Sequence, residues 1–305
     1  MAAANPLSTG GGGCMNYPKN LLYVLLVAVF AVWGGGIVAM KFAFQSFTII
    51  HIVFARVAIA AIFYIILNKY WRHLPYQKGD WKYLCALVMF EPCLFFIFET
   101  SSLAYTTASQ AGVIVACFPL CTAIGAWFFL HEKLTKYTIL GIILAVIGVA
   151  GASWFADNSG HAVNALLGNF LMVGAVLSST GYALCARHIT QRYSFLAISA
   201  IQAIGGTIVF LPFFLASPLP ATYTTTALCG LLYLGIGVGI CAYLGFNFGI
   251  NQLPAAVVAL FANLIPIFTL IFAYVFLHEN ITGLQIVFAL VTLAGVLISS
   301  IPSKK

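Results

Sequence analysis

The sequence predicts an all-α integral membrane protein: ten transmembrane helices arranged as two inverted five-helix repeats. Three observations carry that prediction. The 305 residues are 63% apolar and only 6% charged, with a mean hydropathy of +1.06, whereas soluble domains carry about a quarter charged residues. The stretch Phe129-Leu130-His131-Glu132-Lys133-Leu134-Thr135 returns as Phe276-Leu277-His278-Glu279-Asn280-Ile281-Thr282, an offset of 147 residues (278 less 131), close to half the chain. Finally, the basic residues sort to alternate connections between the apolar segments, as the positive-inside rule requires of a helical membrane protein.

The apolar runs are continuous over about twenty residues rather than alternating over about ten, which selects helices over a barrel. Ten segments are long enough to span: 20–40, 48–67, 81–103, 107–130, 136–154, 164–185, 195–216, 227–249, 255–277 and 283–301. Several connections are so short that successive helices must form antiparallel hairpins. Residues 1–19 read as a disordered leader; their first fourteen are small, polar and glycine-rich, without the basic and apolar regions of a signal peptide, and Met15 is an alternative start. Segment 20–154 forms the first repeat and 164–301 the second.

Ten spans put both termini on one side. That side collects Lys19, Lys69, Arg72, Lys78, Lys82, Lys133, Lys136, Arg187, Arg192, Lys304 and Lys305, while the other has Lys41, and Arg56 lies within a span. Both termini are therefore expected in the cytoplasm. Nine or eleven spans would scatter the same charges over both faces. The net charge of +7 follows from this sorting and implies no nucleic-acid partner.

The repeat extends beyond the His-Glu stretch. At an offset of 147, Ala108 matches Ala255, Pro119 matches Pro266, Thr135 matches Thr282 and Gly148 matches Gly295. At 146, Gly35 matches Gly181, Lys41 matches Arg187 and Thr48 matches Ser194. Five helices is an odd number, so the second half enters the membrane upside down relative to the first. Inverted repeats of this kind place a solute site near the midplane, between the halves.

These residues resemble the drug/metabolite transporter superfamily, in its ten-helix EamA-type permease branch. The resemblance is carried by Trp33-Gly34-Gly35, Arg56, the run Leu103-Ala104-Tyr105-Thr106-Thr107-Ala108, Pro119, and Leu130 to Thr135. It is carried again by Leu253-Pro254-Ala255 through Pro266 to Glu279. It implies a secondary transporter, exporting small organic metabolites such as amino acids across a bacterial inner membrane by alternating access, without a cofactor. The sequence departs from the family pattern at Ser178-Ser179-Thr180, where a tryptophan is often found, and in the acidic Glu91 and Glu99 of the third span.

Charged groups inside hydrocarbon are costly unless paired or wet, and are functional candidates for that reason. At 1.5 Å per residue, Arg56 lies about 12 Å below the outer surface, Glu91 about 18 Å and Glu99 about 6 Å. Arg56 and Glu91 read either as an ionic pair facing the cavity or as a structural bridge between the second and third spans. Glu99 reads as a wet position near the rim. Glu91, Glu99 and His51 are candidates for proton coupling. Trp33, Tyr182 and Tyr243 are candidate aromatic walls, and Gln110, Gln202, Asn247 and Asn263 either bind solute or tie helices together. Pro92, beside Glu91, and the symmetry-related Pro119 and Pro266 are expected to kink their spans. Thr282-Gly-Leu-Gln285 reads as a capping box opening the last helix.

No metal-site spacing appears among the eight cysteines, and Cys117 and Cys121 read as small packing residues. The chain lacks a Gly-Lys-Ser/Thr phosphate loop and an HExxH pair, which argues against ATP-driven pumping and zinc chemistry. A small-molecule solute and the lipid bilayer are the expected partners; the oligomeric state is left open. A nucleotide-sugar or sugar-phosphate antiporter is the alternative within transporters, and would want several basic residues in the cavity. An intramembrane enzyme is the alternative outside them, and a compact catalytic motif is missing.

Overall fold

The computed structural model describes residues 18–72, 74–131, 136–156, 162–189, 192–252, 261 and 263–299. The leader up to residue 17, the stretch Glu132–Thr135 and the run Leu253-Pro254-Ala255 lie outside the described residues.

Among the described residues thirteen α-helices follow one another. They are α1 (Lys19–Ala43), α2 (Ile49–Ile66), α3 (Asp80–Val88), α4 (Phe95–Tyr105), α5 (Ala108–Val115), α6 (Phe118–Leu130) and α7 (Lys136–Trp154), then α8 (Ala165–Ile189), α9 (Phe195–Ala216), α10 (Thr225–Leu232), α11 (Tyr243–Gln252), α12 (Leu264–Leu277) and α13 (Gly283–Ser299). The connections α3–α4 and α10–α11 are wider π-type turns, Met89–Leu94 and Tyr233–Ala242. Counted as continuous apolar rods, the described residues give eight helices long enough to span, plus the shorter Leu264–Leu277 and Gly283–Ile298. The protein is all-α and built for a membrane.

Helix starts follow elementary capping chemistry. Asn164, Ser194, Thr224 and Thr282 each accept, through a side-chain oxygen, from the backbone N–H three residues on, at 3.1 to 3.2 Å. Such caps satisfy donors that hydrocarbon would leave orphaned. The box at Thr282 is thus present on its threonine side. At the other end of the spans preceding the repeated stretch, His131 and His278 both adopt left-handed φ, 54° and 52°, and terminate α6 and α12. The duplicated His-Glu stretch is a helix stop.

Contacts between the two halves obey a two-fold rule. Helix α2 packs on α9 and α7 packs on α13, each span meeting its own repeat. Helix α1 packs on α12 and on α10 with its π turn; the reciprocal contacts join α8 to α5–α6 and to α4. The α7–α13 seam shows the same symmetry at close range. A Cβ on Gly148 would lie 2.6 Å from Thr292 N, and one on Gly295 2.7 Å from Gly141 O. Only glycine permits backbones to approach this closely.

Polarity is arranged inside out. Arg56, Glu91, Glu99, Gln110 and Glu279 are buried, whereas Ile66, Val146, Phe128 and Leu215 are exposed. An outer surface of this kind is satisfied by lipid tails rather than water. The seam generates a prediction: Gly148→Leu should lower stability by about 1–3 kcal/mol through overpacking, read as a reduced midpoint of thermal unfolding in detergent, with Gly283→Ala, where nothing lies within 4 Å of the new Cβ, as the silent control.

Candidate functional site

A cavity of about 320 Å³ lies between the halves, at the small end of the range for ligand sites. Its walls come from α1 (Trp33, Met40), α2 (Arg56), the broken third span (Glu91, Phe96, Glu99), the α5–α6 junction (Pro119), α8 (Ser179), α9 (Gln202), α11 (Tyr243, Phe246) and the start of α12 (Asn263, Pro266).

The third span organises this site. At Glu91 the backbone leaves the helical region (φ −145°, ψ 116°), immediately before Pro92. Proline cannot donate, so the regular helical ladder is interrupted here. The span is re-wound so that Phe95 N–H donates to Phe90 O, and two side chains from the second half add to the carbonyls at the break: Ser178 Oγ donates to Phe90 O at 2.7 Å, and Gln202 Nε2 donates to Glu91 O at 2.7 Å. The neighbouring close approaches make this possible: a Cβ on Gly206 would meet Pro92 Cγ at 2.5 Å, and one on Gly181 the Phe90 ring at 2.8 Å. Serine in place of the bulky residue expected near position 178 supplies both the space and the donor.

Arg56 pairs with Glu99, not Glu91. Its Nη1 lies 2.7 Å from Glu99 Oε2, 3.9 Å from Met40 Sδ, and its guanidinium carbon sits 3.9 Å above the Phe96 ring. Both partners are buried, at 6% and 7% exposure. Glu99 is therefore no wet rim residue. Counting depth along an ideal helix gives height in the membrane and not which neighbours close over a side chain; here Arg56, held over Phe96, closes over Glu99. Glu91 takes other partners. Tyr243 Oη donates to one carboxyl oxygen at 3.0 Å and Ser179 Oγ to the other at 3.2 Å.

Trp33 forms the hub of an aromatic wall, with ring centroids 5.3 Å from Phe30, 5.4 Å from Tyr243 and 5.4 Å from Phe246. Tyr182 instead packs beside the cluster of Leu87, Ala186 and Ile198. Gln110 is buried and accepts from Asn169 Nδ2 at 2.7 Å, while Asn169 accepts from Thr106 Oγ1; it ties α5 to α8 rather than lining the cavity. The side chain of Asn247 lies outside what is described. His51 closes the first turn of α2: its Nδ1 meets the Thr48 backbone N–H and hydroxyl at 3.3 and 2.8 Å. Pro119 and Pro266 stand near the first residue of α6 and of α12, where a missing N–H is tolerated. Before Pro119 the helix is interrupted at Ala116–Cys117.

Two polar clamps join the halves at opposite ends. At one, Glu279 accepts from Ala108 N (2.8 Å), Ser109 N (3.0 Å) and Ser109 Oγ (2.5 Å), a buried carboxylate on the positive end of α5. At the other, Asp80 accepts from Arg192 at 2.7 and 3.2 Å, Tyr193 Oη at 3.0 Å and Gln77 N at 2.9 Å. The sequence reading passed over these residues. The signal for Glu279 was its place in the duplicated stretch, beside a left-handed helix stop. Among the described residues, no three His, Cys, Asp or Glu side chains are grouped to hold a metal.

The EamA-like transporter family model matches residues 20–154 and again 166–301. The chain belongs to the EamA-like transporter family. It is 27% identical over 308 aligned residues to the uncharacterized transporter YetK of Bacillus subtilis, covering 98% of this chain and 93% of that one. It is 23% identical to an uncharacterized transporter of Archaeoglobus fulgidus, covering 91% and 96%. A crystal structure 14% identical in sequence superposes with a TM-score of 0.62 over 92% of this chain and 96% of the other, a likeness of fold. The EamA-like chain is a membrane transporter.

In this transporter Glu99→Gln should cost about 3–5 kcal/mol, because it leaves the Arg56 charge buried without its partner. Replacing both, as Arg56→Met with Glu99→Leu, should restore most of the loss. Denaturation of the purified variants reads this directly.

Proposed function

We propose that this EamA-like transporter is a secondary exporter of small organic metabolites of the amino-acid class, working by alternating access. Two five-helix units, 20–154 and 164–301, would rock about the α2–α9 and α7–α13 contacts. The observation that supports this reading most is a cavity walled by both halves, holding buried charged groups and flanked by a polar clamp at each end. A clamp that joins halves by a few hydrogen bonds can open without unfolding either one. The end carrying Lys69, Arg72, Lys78, Lys82 and Arg192 is assigned to the cytoplasm on the positive-inside rule, with both termini beside it and the plasma membrane as the site. We further propose that Glu91 serves proton coupling: its neighbours Tyr243 and Ser179 are neutral hydroxyls, whereas Glu99 is committed to Arg56 and His51 to its helix cap.

The sugar-phosphate reading is weaker. A phosphate needs free cationic donors, and Arg56 already has a carboxylate.

The experiment is solute flux in proteoliposomes with an inside-outside pH difference. Accumulation of an amino-acid-class solute should follow the gradient, and Glu91→Gln should cut flux by about tenfold or more while unfolding at the same temperature. Flux indifferent to the gradient removes the proton coupling; absence of flux for every small metabolite tried removes the transport assignment.

A further inference from the structure

The connection from α2 to α3 is built as a strap across the start of α9. Its described residues, within 67–79, open with one tight helical turn, Asn68–Tyr70. Trp71 Nε1 then donates to Tyr64 O at 2.7 Å, and the Trp71 ring joins the cluster of Tyr64 and Ala200. Leu74 joins a different cluster, that of Ile189, Tyr193 and Ile198. Ile198 and Ala200 are two residues apart and so lie on nearly opposite faces of α9. Gly79, at φ 103°, turns the chain into α3, and Gln77 N donates to Asp80 Oδ2 at 2.9 Å. Fastened at Trp71, Leu74 and Asp80, the strap holds its outward side chains at the level of the helix ends.

Those side chains are basic and aromatic by turns. Lys69, Arg72, Lys78 and Lys82 are exposed. Asp80 is the only acid between residues 67 and 90, and Arg192 and Tyr193 already hold it. The four cations therefore have no acid of their own segment to offset them, and none of them lines the cavity. Between them Tyr70, Tyr76 and Trp81 are 69%, 56% and 56% exposed, with Lys82 Nζ 6.0 Å from the centre of the Trp81 ring. The adjoining last turn of α2 exposes Ile62, Ile65 and Ile66. A soluble polyanion would satisfy the cations and leave the rings and isoleucines in water. An acidic phospholipid serves all three, with phosphate for the cations, an interface for the rings and acyl chains for the isoleucines.

We propose that the strap is a docking surface for anionic phospholipid headgroups, those of the cytoplasmic leaflet in the orientation given above. Each Lys or Arg held near such headgroups strengthens binding about fivefold, and a strap already folded spends little entropy in meeting them. The surface is distinct from the solute cavity, so its test depends on neither the solute nor transport.

The full chain in neutral detergent is titrated with dioleoylphosphatidylglycerol or dioleoylphosphatidylcholine, and bound lipid is counted by native mass spectrometry. Phosphatidylglycerol should bind about tenfold or more tighter, with a preference that shrinks as salt is raised. Lys69→Gln, Arg72→Gln, Lys78→Gln and Lys82→Gln together should abolish the preference. A control losing the same charge at other positions assigned to the cytoplasm, Lys19→Gln, Lys136→Gln, Lys304→Gln and Lys305→Gln, should keep it. If the fourfold strap variant fails to fold, Arg72→Gln with Lys78→Gln tests the same surface, with an expected loss of about fivefold or more. Equal affinity for the two lipids, a preference untouched in the folded strap variant, or an equal loss in the control overturns the proposal. So does tighter binding of a soluble glutamate decamer than of phosphatidylglycerol, which would make the strap a site for an acidic protein.

Discussion

A carbonyl released from its helix inside hydrocarbon must find a donor within the protein, because lipid offers none. That constraint governs the centre of this molecule. At the break, Glu91–Pro92, backbone acceptors of the third span take donors from Ser178 and Gln202 of the opposite half. The site is consequently a property of the docked pair of halves. The Glu91 carboxyl is likewise held from the second half, by Tyr243 and Ser179.

The duplication supplied the scaffold, and divergence supplied the site. With the offset of 146 that holds near the start of each half, Arg56 corresponds to Gln202, and the two stand on the self-paired helices α2 and α9. Both reach the same broken span: Arg56 binds the Glu99 carboxylate and Gln202 the Glu91 carbonyl. The third span of the second half is also wound in wide turns, over Tyr233–Ala242, but carries no acid there. Symmetry of backbone coexists with one-sided chemistry.

Much of the fold was legible in the sequence because its causes are local or periodic. Long apolar runs, sorted lysines and a repeated helix stop each report on membrane solvation, and each reports independently. The site was legible only as an inventory. Arg56, Glu91 and Glu99 stood out by their cost in hydrocarbon, yet which acid takes the arginine depends on the lateral packing that gives Glu91 to Tyr243 and Ser179 of the other half, and no spacing in the chain encodes that. Glu279 was hidden for a related reason: its partners, Ala108 and Ser109, are about 170 residues away, and they are backbone groups that any sequence would provide. Gln110 looked like a solute ligand because an amide in a membrane helix has two uses, and only the position of Asn169 decides between them.

The Glu279 clamp has a thermodynamic corollary. Hydrogen bonds to a buried charge contribute about 1.5–3 kcal/mol each, so parting this carboxylate from the end of α5 holds the conformer open on that side to a small fraction of the population. If the halves rock as proposed, a solute arriving from that side binds with its intrinsic Kd divided by that fraction, whereas one arriving from the other side meets the cost of parting Asp80 from Arg192 and Tyr193. Because one clamp rests on a helix end and the other on an arginine, the protein's apparent affinity on its two faces would differ by the difference between them, before any gradient is applied.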